Sequence, residues 1–268
     1  MSETSRRWVV VTGAASGIGD GVCQSLAAAG YGIIMADIDA DKLERAAASI
    51  LHSRTVVIDV ADTSAKHRLE EMAIETGNVW GLINCAGISL VKHFLLNSEE
   101  EWTRILRTNL EGTIRACSAI APVLNANGGG AIINIASITG RNPAALQGAY
   151  AASKAGVIGF SASLAFDMGP LNVTVNSICP GIVRTPIWDR ILETEADETG
   201  ESPDEIFARH TEPIPMGRPQ SAQEIGELCV FLLSDTARSI SGEAINITGG
   251  MTFVDFDFNA AAAQLTAP

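Results

Sequence analysis

The chain has 268 residues, of which 47% are apolar and 18% charged, and it carries a net charge of −13. That balance excludes a disordered or fibrous chain, and the length suits a single α/β domain with a sizeable core. The excess of carboxylates excludes a polyanionic partner, so neither nucleic acid nor an anionic membrane surface is expected.

The amino terminus, MSETSRRWVVVTG, shows no signal-peptide core or small-residue cleavage site. No apolar run approaches the roughly 18 residues of a membrane span. A soluble, cytoplasmic protein without a membrane partner is expected. Cys23, Cys85, Cys117, Cys179 and Cys229 are odd in number and widely spaced, which predicts reduced, buried thiols. His52, His67, His93 and His210 are equally scattered and offer no ligand spacing, so no metal is expected.

Trp8–Thr12 reads as a first strand and Gly17–Ala29 as a helix. Between them, Thr12-Gly13-Ala14-Ala15-Ser16-Gly17-Ile18-Gly19 gives G-x-x-x-G-x-G, a tight turn that presents a helix amino end to a pyrophosphate. Gly32–Ala36 is the second strand, followed by Asp37 and Ile38. A carboxylate there can accept both ribose hydroxyls of an adenosine and repel a 2′-phosphate, which points to NAD over NADP. The lesser alternative is that it caps the next helix, Asp41–Ile50. Thr55–Asp59 is a third strand, with Asp59 and Val60 placed for adenine contact or for ordinary turn chemistry. Trp80–Asn84 is a fourth, after an intervening helix.

Glu99–Asn125 reads as one long helix. Ala131–Ala136 is a fifth strand, Ala149–Met168 a helix, Val173–Ile178 a sixth strand, Ala222–Ser234 a helix and Glu243–Ile247 a last strand. These strands are continuous apolar runs, as expected when both faces are buried in a parallel sheet. The alternation predicts one Rossmann-type doubly wound sheet of about seven strands with helices on both faces. Residues 186–219 interrupt the rhythm as an acidic excursion at the carboxyl edge of the sheet, where ligands bind. Residues 251–268 form a tail.

The chain has only two tyrosines and four lysines, yet Tyr150 and Lys154 stand four apart in a predicted helix. That spacing puts both side chains on one face. Phenol has a pKa near 10, and a lysine ammonium within about 4–6 Å favours the phenolate, so the pair could transfer a proton. Ser137, at the end of the fifth strand, could orient the substrate oxygen. A hydride acceptor is then needed, and a dinucleotide site is already present.

These motifs together resemble the short-chain dehydrogenase/reductase family, over roughly residues 7–254 and in family order. Residues 12–19 match its glycine-rich loop, and Asn84-Cys85-Ala86-Gly87 its Asn-Asn-Ala-Gly segment. Asn109 matches its asparagine, and Ser137, Tyr150 and Lys154 its serine, tyrosine and lysine. Pro180-Gly181-Ile182-Val183-Arg184-Thr185 matches the stretch that holds the nicotinamide carboxamide. The resemblance implies that Tyr150 is the general acid/base and that Lys154 lowers its pKa and binds the nicotinamide ribose. It implies that Ser137 holds the substrate oxygen, Asn109 anchors a water linking Lys154 to solvent, and Val183 and Thr185 fix the nicotinamide. Two departures stand out. Cys85 replaces the second asparagine, and Thr248-Gly249-Gly250 replaces Asp-Gly-Gly. Ser16 stands where NADP-dependent members often carry a basic residue.

Substrate contacts are expected from Ser89, Thr139, Gln147 and Trp188, with Leu90, Arg141, Ile182 and Ile191 as further candidates. Gln147 and Ser89 suggest a second polar group on the substrate. The expected reaction is interconversion of a secondary alcohol, polyol or hydroxy-ketone with its ketone, NAD favouring oxidation. The alternatives are a 3-oxoacyl-thioester reductase and a non-catalytic dinucleotide sensor. Family resemblance also implies a homotetramer or dimer packed through the helix after Ser98 and the helix carrying Tyr150. The aromatic tail Phe253–Phe258 is a further candidate for subunit contact.

Overall fold

The computed structural model describes residues 6–252, with the side chain of Glu198 excepted. The tail expected to make subunit contacts lies almost wholly outside them. The described residues form one seven-stranded, all-parallel sheet in the order β3-β2-β1-β4-β5-β6-β7. Its strands are β1 (Trp8–Thr12), β2 (Gly32–Asp37), β3 (Ser53–Val57), β4 (Val79–Asn84), β5 (Gly130–Ile135), β6 (Val173–Pro180) and β7 (Ala244–Ile247). Strand order reverses between β1 and β4, which opens a crevice at their carboxyl ends. No helix among the described residues is long and apolar enough to cross a membrane.

Helices cover both faces. On one side α1 (Gly17–Ala28), α2 (Ala40–Ala47) and α9 (Ala222–Leu233) pack over Val9, Val11, Ile33, Met35 and Ile133. On the other, α3 (Ala65–Thr76), α5 (Gly112–Ala126) and α6 (Gly148–Met168) cover Val10, Ile34, Leu82, Ile132 and Val175. Alternate residues of each central strand thus feed opposite cores, which is why the strands read as unbroken apolar runs. The five cysteines are free thiols, four of them buried and Cys85 half-buried.

Three predicted elements change. The third strand, expected at Thr55–Asp59, is Ser53–Val57, so Asp59 and Val60 lie in the turn beyond it. The expected single helix over 99–125 is α4 (Glu99–Leu106), a π-helical turn (Arg107–Glu111) and α5. The extra backbone residue in that turn carries Asn109 inward, where it is fully buried. The excursion at 186–219 is largely helical, with α7 (Pro186–Thr199) and α8 (Pro203–Thr211). Both begin with proline in the first turn, and Ser202 and Glu205 form a reciprocal capping box at the start of α8. Ile182, Trp188, Leu192, Ile206 and Ile214 bury themselves in a satellite core beneath these helices.

Candidate active site

The crevice between β1 and β4 is lined by the glycine-rich turn on one side and residues 84–88 on the other. Gly13 has φ +66°, and a Cβ there would come within 2.7 Å of the Ala86 backbone, so only glycine allows the two loops to touch. Cys85 donates its backbone N–H to Thr12 O at 3.1 Å, so the main chain makes the connection that the missing asparagine side chain does not. Burial pushes the Cys85 thiol up to about 12, which leaves it inert. Asn84 donates to Asn134 Oδ1 at 2.8 Å, and Asn134 donates to Ser161 Oγ at 2.8 Å, tying β4 through β5 to α6.

Asp37 ends β2 beside the glycine-rich turn. One carboxylate oxygen accepts from Ala15 N at 2.9 Å and the other from Asp39 N at 3.0 Å. Each oxygen keeps a lone pair for a further donor. The helix is capped by Asp39, which accepts from Lys42 N, so Asp37 is free of that duty. Ile38 is 65% exposed at the same edge, an apolar surface for a flat ring. Asp59 accepts from Ala61 N at 2.8 Å, the turn chemistry that sequence also allowed. Val60 is buried in the core against α5, and its carbonyl accepts from Arg115 at 3.0 Å.

These residues fit a dinucleotide. Ser16 makes no side-chain cap to α1, leaving the first turn of the helix without a side-chain partner at its amino end. Gly17 faces Thr185 across the crevice, and Val183 and Thr185 are buried just beyond the end of β6. Ile18 and Gly19 follow Gly17 in α1, Ala86 and Gly87 follow β4, and Pro180 ends β6 with Gly181 directly after it. Among the described residues no group of three or more histidine, cysteine or acidic side chains is placed to hold a metal.

Ser137, Tyr150 and Lys154 converge at the carboxyl end of β5. Ser137 is extended (φ −168°), and its hydroxyl accepts from Thr139 N at 3.1 Å and acts on the Tyr150 phenol to lower its pKa. Gly140 makes the approach possible. A Cβ there would lie 2.7 Å from the Lys154 carbonyl carbon, so any larger residue would push the Ser137 turn off α6. The sequence signal was a lone glycine three residues after Ser137, which was not singled out.

Tyr150 is half-buried, and its phenol is raised above its usual value by burial, an effect opposed by the Ser137 hydrogen bond. The expected lowering by Lys154 is not the balance seen here. Lys154 Nζ lies 5.8 Å from the Tyr150 ring centroid and donates to Ile135 O at 2.7 Å. Burial brings Lys154 down to about 8. Asn109 accepts from Ile88 N at 2.8 Å and donates to Ile88 O at 2.9 Å and Ser153 Oγ at 3.0 Å. Its amide N–H groups are spent on the loop that carries Gly87 and on Ser153 of α6. The water expected of it would have to use another lone pair.

A cleft of about 360 Å³, open solvent included, rises above Tyr150. Ser89, Thr139, Gln147, Trp188 and Ile191 line it, together with Ser137, Ile138, Gly181 and Ile187. Leu90, Arg141 and Ile182 do not. Arg141 is exposed and pins β7 through Ala244 O and Asn246 Oδ1, at 2.9 and 3.2 Å. Ile182 is fully buried in the satellite core. Sequence reasoning missed Ile187, whose only signal is its place beside Trp188. The Trp188 ring stands edge-on to His210 of α8, with centroids 5.3 Å apart. His210 in turn lies 2.7 Å from Glu195 of α7.

A family model described as short chain dehydrogenase matches residues 7–196. The chain belongs to the short-chain dehydrogenase family. It is an oxidoreductase of a family that binds nicotinamide dinucleotides. It is 34% identical to the 3-oxoacyl-acyl-carrier-protein reductase FabG of Escherichia coli, covering 91% of this chain and 97% of that one. It is 32% identical to a diacetyl reductase ((S)-acetoin forming) of Staphylococcus epidermidis, covering 94% and 100%. Among solved structures, an actinorhodin polyketide ketoreductase variant with NADPH superposes with a TM-score of 0.89 at 27% identity, covering 94% of this chain and 99% of that one.

Proposed function

We propose that this chain interconverts a secondary alcohol and its ketone with NAD, on a neutral substrate such as a small alcohol, polyol or hydroxy-ketone. The observation that carries this reading is the convergence of Ser137, Tyr150 and Lys154 beneath a cleft that adjoins the dinucleotide crevice. The nicotinamide ring supplies the hydride acceptor or donor when bound. Tyr150 moves the proton at the substrate oxygen, and Ser137 donates a hydrogen bond to that oxygen as its charge changes. Lys154, anchored on Ile135 O, brings a cation to the same corner. Asn109 acts at one remove by fixing Ile88.

Asp37 supports NAD, because a carboxylate pinned by two backbone donors cannot turn away from a 2′-phosphate. Absence of any charged side chain among the cleft-lining residues supports a neutral substrate. The likeness to FabG favours a second reading, a 3-oxoacyl-thioester reductase, and a non-catalytic dinucleotide sensor is a third. We also propose a cytoplasmic homotetramer or dimer formed through α4, α5 and α6, each of which leaves a large apolar side chain exposed, and one domain for the whole chain.

NADH formation from NAD over secondary alcohols, diols and 3-hydroxyacyl thioesters tests these readings, with Tyr150→Phe as control. Turnover of alcohols or diols that falls at least about 1,000-fold in the variant is expected, from loss of the proton carrier and its ordered network. Thioester turnover with a strong NADPH preference would install the second reading. Dinucleotide binding with no turnover in either direction would install the third.

A further inference from the structure

Gln147 holds a position that ordinarily serves the backbone. It precedes α6 as the N-cap residue, and its carbonyl accepts from Ala151 N at 2.8 Å. Yet its side chain makes no cap bond to the helix. It turns into the cleft above Tyr150 instead, where the residue is only 5% exposed. There Nε2 donates a long hydrogen bond of 3.4 Å to Ser89 Oγ. Oε1 is buried with no hydrogen-bond partner. A buried amide oxygen left unpaired is destabilising, so a donor from the ligand would recover what the folded chain forgoes.

The chemistry of the missing donor follows from its neighbours. Ser89 Oγ accepts from Gln147, so its own proton is free to be donated. The corner therefore offers one acceptor, Gln147 Oε1, and one donor, the Ser89 hydroxyl. A hydroxyl group satisfies both at once, donating to the amide and accepting from the serine. A cation would meet no carboxylate among the lining residues, and a carboxylate or phosphate would meet no cation. Gln147 stands three residues before Tyr150, one turn along the same face of the helix. A small ligand whose reacting oxygen sits on Tyr150 can thus reach Gln147 with a group one or two carbons away.

We propose that Gln147, with Ser89, is the specificity-determining pair for a second hydroxyl on the substrate. The favoured substrates are then vicinal or 1,3-diols and the matching hydroxy-ketones rather than simple alcohols and ketones. This rests on the alcohol–ketone reading of the site and narrows it. Sites built to bind a hydroxyl reject the analogue that lacks it more strongly than apolar pockets reject a missing methylene.

Matched pairs test the assignment: 2,3-butanediol against 2-butanol with NAD, and acetoin against butanone with NADH, in wild type, Gln147→Met and Gln147→Glu. Wild type should prefer the hydroxylated partner in kcat/KM by about 10- to 100-fold. Gln147→Met, of similar length without an acceptor, should bring that ratio near one. Gln147→Glu, which keeps an acceptor, should retain it. No preference in wild type, or a ratio unmoved by Gln147→Met, overturns the proposal. So does a preference for a second carbonyl over a hydroxyl that Gln147→Met abolishes, since the amide would then present its N–H₂ to the ligand. Calorimetric binding of the diol and the mono-alcohol to the NADH-saturated protein separates the two levels of the argument. A hydroxyl preference in binding that Gln147→Met removes, without turnover of any substrate, would keep this assignment and remove the catalytic reading. No binding preference and no turnover would remove both.

Discussion

Burial acts on Tyr150 and Lys154 in the direction of the uncharged form, raising the phenol and lowering the ammonium to about 8. At neutral pH Tyr150 therefore rests as a phenol, with its proton available to a ketone oxygen. Oxidation of an alcohol needs the phenolate instead. Its kcat/KM is expected to climb as pH rises, while reduction holds at neutral pH and falls once the phenol is lost. Lys154 can favour the phenolate only while protonated, so its help fades above about 8. The Ser137 hydroxyl bonds the phenol in the sense that lowers its pKa. Ser137→Ala should lower kcat/KM by about 100-fold and also move the rising limb of alcohol oxidation to higher pH. Initial rates measured from about pH 6 to about pH 10 check both effects. A lower rate on an unshifted limb would mean that Ser137 touches the substrate oxygen but not the base.

Helix α4, the π-turn and α5 show how an element can be continuous in sequence and broken in space. Apolar spacing runs through 99–125 across Gly112 and Pro122, so the sequence reads as one helix. What breaks it is tertiary: Asn109 clamps both backbone groups of Ile88 and reaches Ser153 on α6, contacts that no local pattern encodes. By contrast, Ser202–Glu205 and Ser221–Glu224 are capping boxes visible in the sequence, and the first of them announces α8 within the acidic segment. The strands and the Ser137, Tyr150 and Lys154 set were legible because burial on two faces and i, i+4 spacing leave local marks. The roles of Gly140 and Ile187 were not, because they depend on which loop packs on which helix. Asn109→Ala would leave the Ile88 N–H and C=O without their partner in a crowded corner. A loss of about 2 kcal/mol is expected from two orphaned, half-buried groups. The denaturant midpoint should fall with an unchanged m-value, and turnover should fall because residues 85–88 are freed beside Lys154. A variant as stable as wild type would show that the π-turn is held by packing alone.

At the scale of the molecule, the reversal of strand order between β1 and β4 opens the crevice at their carboxyl ends. Three apolar side chains stand out on α4, α5 and α6. Trp102 on α4 and Ile114 on α5 are each 38% exposed, and Phe166 on α6 is 84% exposed. Phe94 and Leu95, just before α4, are 78% and 72% exposed. Single exposed apolar side chains are ordinary, so these carry weight only as candidates for a surface that a second copy covers. In a symmetric pair the same patch covers its copy, so each substitution is felt once per protomer on both sides of the contact. Burying such a side chain contributes about 1.5–3 kcal/mol, so placing a carboxylate there opposes association through lost burial and through repulsion between like-charged copies. Light scattering at micromolar concentration should give a multiple of the chain mass for wild type. Trp102→Glu and Phe166→Glu should each shift that mass toward the monomer without changing the far-ultraviolet circular dichroism. A wild-type chain that runs as a monomer would leave these side chains as ordinary exposed surface and would place the whole active site within a single copy.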